Sequence, residues 1–192
     1  MPDQVLALDG DGMRRTLVRI AHEIVEKNPQ GFAIVGIHRR GACLAKRIQA
    51  SAESLTEAPV PFGTVDISFY RDDLNLRRHR PDAVPVVHST ELDFSLDDRQ
   101  IVVIDDVLYT GRTVRAAIDV LFDYGRPARI QLAVLIDRGH RELPIRPDYV
   151  GKNLPTSVDQ RVNVHVVELD GTDEVTMTAA PQPDRGEPCR TT

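Results

Sequence analysis

The 192-residue sequence contains no tryptophan, and its aromatic residues amount to only 5%. An extended aromatic platform is therefore excluded as the way this chain would hold unstacked bases. Cysteine is equally scarce. Cys43 falls in a helix-like run and Cys189 in a polar terminal stretch, which excludes a disulfide framework and any structural-zinc spacing. Positive charge is not in excess: 24 Lys and Arg stand against 29 Asp and Glu, a formal net charge of -5. Indiscriminate attraction to nucleic acid is not expected, although a local basic patch is compatible with this balance. The longest apolar runs, Ile101–Ile104 and Leu132–Ile136, fall far short of the roughly 18 residues that cross a bilayer. The opening Met1-Pro2-Asp3-Gln4 has neither the basic nor the apolar region of a secretory signal. The expectation is a cytoplasmic chain without membrane association. No Gly-Lys-Ser/Thr P-loop for a nucleoside triphosphate occurs anywhere.

What is present suffices for one core. Hydrophobic residues at 41% and charged residues at 28% give the balance of an ordinary globular chain, with a length that fits a single domain. Met13, Leu17, Ile20 and Ile24 repeat at steps of three and four, predicting a helix from Asp11 to Lys27. Asp9 or Asp11 is its expected cap, and Asn28-Pro29-Gln30-Gly31 its stop. Phe32–Ile37 reads as a buried strand, and Gly41 opens a helix to about Glu53. After the Pro59–Gly63 break, Val65, Ile67 and Phe69 alternate with Asp66 and Ser68, predicting a half-buried strand. Arg71 to about Pro85 is a long charged loop, with Val84–His88 as a returning strand. Ile101–Ile104 and Ile130–Ile136 read as buried strands on either side of a Thr113–Tyr124 helix that Gly125 caps. This alternation predicts an α/β fold with a mainly parallel central sheet flanked by helices. Residues 1–178 are expected to form one domain. Residues 179–192, punctuated by Pro181, Pro183, Gly186 and Pro188, are expected to be an unstructured tail.

One segment carries most of the chemical information: Val102-Val103-Ile104-Asp105-Asp106-Val107-Leu108-Tyr109-Thr110-Gly111-Arg112-Thr113-Val114. A buried strand runs into two carboxylates and then a Thr-Gly-x-Thr turn that opens a helix. Ligands of open α/β sheets bind beyond the carboxyl ends of strands. The amides of Thr110 to Thr113, with the two threonine hydroxyls, would cradle a phosphate at the helix start. Paired carboxylates beside that anion must face something else, and ribose hydroxyls or a Mg²⁺ ion would both suit them. The order therefore fits a phosphorylated sugar. An isolated Asp-Asp or Thr-Gly would more plainly be a helix cap and an ordinary turn.

This segment resembles the phosphoribosyl pyrophosphate (PRPP) signature of the type I phosphoribosyltransferases. The wider chain is similar to the branch that joins uracil phosphoribosyltransferase activity to regulation of pyrimidine operons. The matching stretches include Arg14-Arg15, Arg19–Glu23, Val35–Ile37, Arg40-Gly41, Asp66-Ile67, Tyr70–Leu74, Asp105–Arg115, Asp137–Arg146 and Gly151–Asn153 with Pro155–Ser157. The resemblance implies the type I phosphoribosyltransferase fold, with a flexible loop and a small hood formed by about 137–178 and the N-terminal residues. It implies that uracil and PRPP are converted to UMP and pyrophosphate, with Mg²⁺ bound through PRPP and no direct protein ligand assigned to it. Asp105, Asp106 and Arg40 are then the expected catalytic residues. Asp105 through Thr113, including Val107, Leu108, Tyr109, Gly111 and Arg112, would bind PRPP. His38, Arg39, Arg40 and Gly41 would form the pyrophosphate loop, Tyr70, Arg71, Asp72 and Asp73 the flexible loop, and Asp137 and Arg138 would meet uracil or UMP. Arg39 departs from the family pattern, which favours Thr there. Tyr109 stands where purine-using relatives carry an acidic residue, implying a pyrimidine substrate and leaving the uracil proton to solvent or to departing pyrophosphate.

The same resemblance implies a second surface. Members of this branch bind pyrimidine-operon leader RNA in response to UMP or UTP, and they assemble as homodimers or homotetramers. Arg15, Arg19 and His22 step by four and three along the first helix, opposite its apolar face, and like charges at that spacing are locally unfavourable. An RNA contact by Arg15, Arg19, His22, Arg141 and Arg146 is the expectation. A solvated helix face diluted by Glu23 and Glu26 is the plainer alternative. His140 and Lys152 fit either the RNA surface or the nucleotide pocket, and Arg77–Arg80 fits loop solubility, loop closure or RNA. Two rival readings are an enzyme confined to uracil salvage and a regulator that keeps the pocket only as a nucleotide sensor.

Overall fold

The computed structural model of the chain describes residues 4–68, 70 and 89–179. Twelve elements follow in order: β1 (Gln4–Leu8), α1 (Gly10–Lys27), β2 (Ala33–Ile37), α2 (Arg40–Thr56), β3 (Phe62–Val65), β4 (Gln100–Leu108), α3 (Arg112–Tyr124), β5 (Arg129–Asp137), β6 (Tyr149–Asn153), β7 (Gln160–His165), α4 (Val167–Asp170) and β8 (Glu174–Ala179). Five strands make a parallel sheet in the order β3-β2-β4-β5-β6, and β1-β8-β7 make a separate antiparallel one.

The inner strands β2, β4 and β5 of the parallel sheet are buried on both faces, which is why Ile101–Ile104 and Leu132–Ile136 read as continuous apolar runs. Their side chains alternate between two cores. Val102, Ile104, Ala133 and Leu135 meet α1 and α2 on one face. Ile101, Val103, Leu132 and Val134 meet α3 on the other. Helix α1 presents the expected residues, with Met13, Leu17, Ile20 and Ile24 all buried, and Asp9 caps it by accepting the Gly12 N–H at 2.7 Å.

The strand expected over Val65–Phe69 lies earlier, at Phe62–Val65. Parallel pairing decides this: β2 matches Ile34 to Phe62 and ends with Ile37 on Val65, so no partner backbone continues beyond. The carboxylate of Asp66 then turns the chain by accepting the Ser68 N–H at 2.7 Å. Strand β4 is longer than Ile101–Ile104 and carries Asp105 and Asp106 inside it. Strand β8 reaches Ala179, one residue into the expected tail. Residues 180–192 lie outside the described residues, as do Arg71, Asp72, Asp73, the Arg77–Arg80 cluster and the Val84–His88 strand.

The topology selects the position of the site. Strands β2 and β4 are neighbours, yet the connection from β2 runs through α2 to β3 on one side, and that from β4 through α3 to β5 on the other. Their carboxyl ends flank the switch point where a crevice opens. Among the described residues, no helix is long and apolar enough to cross a membrane.

Candidate active site at the switch point

Two adjoining cavities lie at this switch point. One, of about 280 Å³, is lined by Asp105, Val107 through Val114 and Glu142. The other, of about 340 Å³, is lined by His38, Arg39, Arg40, Asp66, Ile67, Ser68, Asp105, Asp106, Val107 and Thr113. They share Asp105, Val107 and Thr113. The predicted residues of the β4–α3 segment, and His38, Arg39 and Arg40 of the loop after β2, thus line two cavities that meet at Asp105, Val107 and Thr113.

The turn into α3 depends on Gly111, whose φ of +94° is left-handed and unfavourable for any side chain. The Thr110 hydroxyl accepts the Arg112 N–H at 3.4 Å. The turn is braced from outside: Glu142 and Leu143 donate their N–H groups to Thr110 O at 3.0 and 3.1 Å, and Arg112 Nε reaches Glu142 at 2.7 Å. The backbone amides at the start of α3 face a helix end with no side-chain cap, an arrangement suited to an anion. Asp105 is buried and Asp106 half-buried. Asp105 Oδ1 accepts the Asp106 N–H at 3.0 Å, and Asp106 Oδ1 accepts that of Val107 at 2.8 Å, so both carboxylates are oriented by the strand's own backbone.

Across the crevice, the peptide between His38 and Arg39 is cis, and α2 begins at Arg40. Gly41 lets this helix start close to β4, since a Cβ there would lie 2.7 Å from Ile104 O and 3.2 Å from Asp105 Cα. The fork of Arg40 is occupied by Asp170, with Nη2 at 2.8 Å and Nε at 3.3 Å.

Asp137 and Arg138 follow β5. Arg138 is buried and donates to Thr156 Oγ1 at 3.2 Å, Ser157 O at 3.2 Å and Gln160 O at 2.7 Å, while its guanidinium stacks 4.2 Å from the Tyr109 ring centroid. Asp137 accepts the Gly139 N–H at 2.9 Å and pairs with Arg141 at 2.6 Å. Arg141 also donates to Ile145 O, Tyr109 O and Gly139 O at 3.1, 2.9 and 3.1 Å. All three of its nitrogens are therefore engaged beneath the Thr110–Thr113 turn, apart from the remaining basic residues expected to meet RNA. Arg15, Arg19, His22 and Arg146 are exposed. Arg19 is an anchor as well as a surface charge: it pairs with Glu23 and donates to Val150 O and Gly151 O at 3.0 and 2.6 Å. Its unfavourable spacing from Arg15 is thus offset within the fold. Tyr70 lies apart from the crevice, its hydroxyl 2.5 Å from Asp123 near the end of α3, and that carboxylate pushes the phenol pKa up.

Sequence reasoning passed over Asp66, Ser68, Glu142 and Asp170 as site residues. Asp66 and Ser68 had a local signal, a carboxylate and a hydroxyl directly after a strand. Glu142 fell inside the matching Asp137–Arg146 stretch without a role of its own, and Asp170 had no signal, because their partners lie 30 and 130 residues away.

Comparison with known proteins agrees with this fold. The chain matches the phosphoribosyl transferase domain over residues 8–170. It is 58% identical over 166 residues to a Roseiflexus protein named bifunctional protein PyrR, covering 85% of this chain and 88% of the relative. It is 52% identical over 180 residues to a protein of the same name from Acetivibrio thermocellus, covering 93% and 96%. The fold resembles the hypoxanthine phosphoribosyltransferases of Trypanosoma cruzi, at a TM-score of 0.67, 15% identity and coverage of 92% and 97%, and of Staphylococcus aureus, at 0.67, 17%, 92% and 93%.

Proposed function

The chain belongs to the phosphoribosyl transferase family, in the branch of the bifunctional PyrR proteins, and from that premise we propose that it transfers the phosphoribosyl group of PRPP to uracil and also regulates pyrimidine genes by binding their leader RNA. The observation that carries the transferase reading is the pair of cavities sharing Asp105, Val107 and Thr113. One suits a 5′-phosphate at the α3 N-terminus, and the other suits pyrophosphate beside His38–Gly41, with room for a ribose against the two aspartates between them.

In this reading N1 of uracil attacks C1′ of the ribose while the C1′–O bond to pyrophosphate breaks. The N1 proton leaves to solvent or to the departing pyrophosphate. The amides and hydroxyls from Thr110 to Thr113 hold the 5′-phosphate, and Asp105 and Asp106 accept from the ribose hydroxyls and stabilise positive charge growing on the sugar. Arg39 and Arg40 face the leaving pyrophosphate, where a planar guanidinium matches phosphate oxygens. Asp137, Arg138 and Tyr109 enclose the pyrimidine, and UMP or UTP occupies the same pocket as effector. The three-stranded sheet serves as the hood.

Among the described residues no group of three or more potential ligands is arranged to hold a metal alone, whereas the oxygen donors Asp66, Asp105 and Asp106 line the crevice. That donor set fits Mg²⁺ arriving with PRPP, beside Asp105 and Asp106. The ion would offset the negative charge of pyrophosphate.

For RNA, the exposed Arg15, Arg19, His22 and Arg146 form the contact, and Arg141 supports the pocket behind it. The protein works as a homodimer or homotetramer in the cytoplasm. Incubation with PRPP, Mg²⁺ and labelled uracil should yield UMP, and absence of product would overturn the transferase reading. A gel shift with pyrimidine-operon leader RNA should strengthen when UMP is added. Unchanged UMP-dependent affinity in Arg19→Gln would remove α1 from the RNA surface.

A further inference from the structure

Arg40 leaves the first turn of α2 at the rim of the crevice, and its guanidinium is already held from behind. Asp170 Oδ1 accepts from Nη2 at 2.8 Å and Oδ2 faces Nε at 3.3 Å. The carboxylate is fixed in turn, because Oδ2 also accepts the Val166 N–H at 3.0 Å. His165 Nδ1 stands 3.9 Å from Oδ1. Hydrogen bonding from Val166, followed by the Arg40 contact, lowers the Asp170 pKa, so the group is ionised at neutral pH.

The segment bearing Asp170 is stapled to the same helix at a second level. Arg47 lies seven residues beyond Arg40, about two turns along one face of α2. It forks onto Glu168 at 2.9 and 2.6 Å and onto Asp173 at 2.9 and 2.8 Å. Glu168 and Asp173 flank Asp170 in sequence, so the Arg47 contacts fix the place of the carboxylate that Arg40 meets. The Arg40 side chain is 36% exposed and that of Asp170 only 19%. The arginine thus presents to solvent while its partner is covered. A guanidinium has five N–H donors, and the bonds to Asp170 use one on Nε and one on Nη2.

We propose that Asp170 is a positioning residue: it holds the Arg40 guanidinium in one plane, so that the Nη1 edge meets the pyrophosphate of PRPP without a search through rotamers. This rests on the reading of Arg40 as a pyrophosphate contact. An arginine oriented before the substrate arrives loses less freedom on binding than one that is not. The Arg47 staple keeps Asp170 in place when the ligand enters.

The test is steady-state kinetics with PRPP and uracil varied separately, on Asp170→Ala, Asp170→Asn, Arg40→Ala and the Arg40→Ala/Asp170→Ala double variant, each with a thermal melt. Asp170→Ala should lower kcat/KM for PRPP about tenfold and leave KM for uracil within about twofold. Asp170→Asn keeps an acceptor for Val166 and should recover part of the loss. The double variant should be no worse than Arg40→Ala alone, since coupled residues are not additive. Normal PRPP kinetics in Asp170→Ala, with Arg40→Ala impaired, would overturn the positioning role. So would additive losses in the double variant, or equal losses for both substrates with a lowered melting point. If Arg40→Ala itself left PRPP kinetics intact, the reading of the pyrophosphate loop would fail as well, and that result is distinct from the others.

Discussion

The five-stranded sheet coheres because β4 and β5 are buried on both faces, whereas the β1-β8-β7 sheet exposes Val5 and Leu6 at 53% and 56%, shares only Val164 and Val175 of its strands as buried residues with the core beneath α1 and α2, and adds charged contacts to the rest. Arg47 binds two carboxylates around α4, Arg40 binds a third, and Lys152 Nζ on β6 donates to Ala7 O of β1 at 2.8 Å. Apolar packing gives the first sheet a fixed frame on which the Asp105 and Asp106 carboxylates accept the N–H groups of Asp106 and Val107. Ion pairs add to the second sheet's apolar contacts an attachment that responds to pH and salt. In the proposed function the chemistry stands on the rigid part, and Asp170, the partner of Arg40, comes from the segment that joins two strands of the other.

The sharpest test of that division is a substitution on the rigid frame that should leave stability alone. Asp105→Asn or Asp106→Asn should lower kcat by about 10²- to 10³-fold, the usual loss when one preorganised electrostatic contact to a transition state is removed. The thermal melt should stay near wild type. Retained turnover in either variant would remove that aspartate from the reaction.

The converse substitution should cost stability through the frame. Ile104 is 1% exposed and packs in the core beneath α1 and α2. Ile104→Ala should destabilise the fold by about 3 kcal/mol, measured by urea unfolding, with no dependence on ionic strength. Arg47→Met, by contrast, should cost about 2 kcal/mol, less than the loss for a fully buried pair because Asp173 and Glu168 remain 25% and 41% exposed. Its effect should shrink in high salt. Hydrogen bonds from Arg47 hold the Glu168 and Asp173 carboxyls below their usual range. In the unfolded chain these groups titrate at about pH 4, so there the unfolded state binds more protons and stability rises with pH. The contribution is complete above that range and is lost as pH falls through the depressed values. Arg47→Met should flatten the acid limb of the stability curve, and an unchanged limb would show that the staple contributes nothing.

The same contrast explains what could be read in advance. Strands β4 and β5 and the helix α1 announce themselves through local patterns, and the Asp105–Thr113 segment is a local order of residues whose geometry follows from one strand–turn–helix unit. The second sheet has no such unit. Val162 and Val164 in β7, and Val175 and Met177 in β8, do alternate with polar residues. But β1 is completed only by β8 at the far end of the chain, Gln4 facing Thr178. Arg47 and its carboxylates are separated by more than 120 residues, so nothing near either partner in sequence marks the pair. Asp66 was legible as a match but not as a cavity wall, because its place follows from where parallel pairing with β2 stops.

The smallest effect concerns the hinge between the two sheets. Asp9 joins β1 of the antiparallel sheet to α1, which covers the parallel one, and its Oδ1 accepts the Gly12 N–H at 2.7 Å while its carbonyl accepts that of Met13 at 2.9 Å. Only the first bond is lost in Asp9→Ala, so the expected cost is that of one exposed N-cap, about 1 kcal/mol by urea unfolding. Asp9→Asn and Asp9→Ser keep an acceptor at the same position and should recover nearly all of it. A loss in Asp9→Ala well beyond a cap's worth, unrecovered by Asn, would mean that the carboxylate charge holds the two sheets in register. The junction would then belong with the charged attachments rather than with the helix it caps.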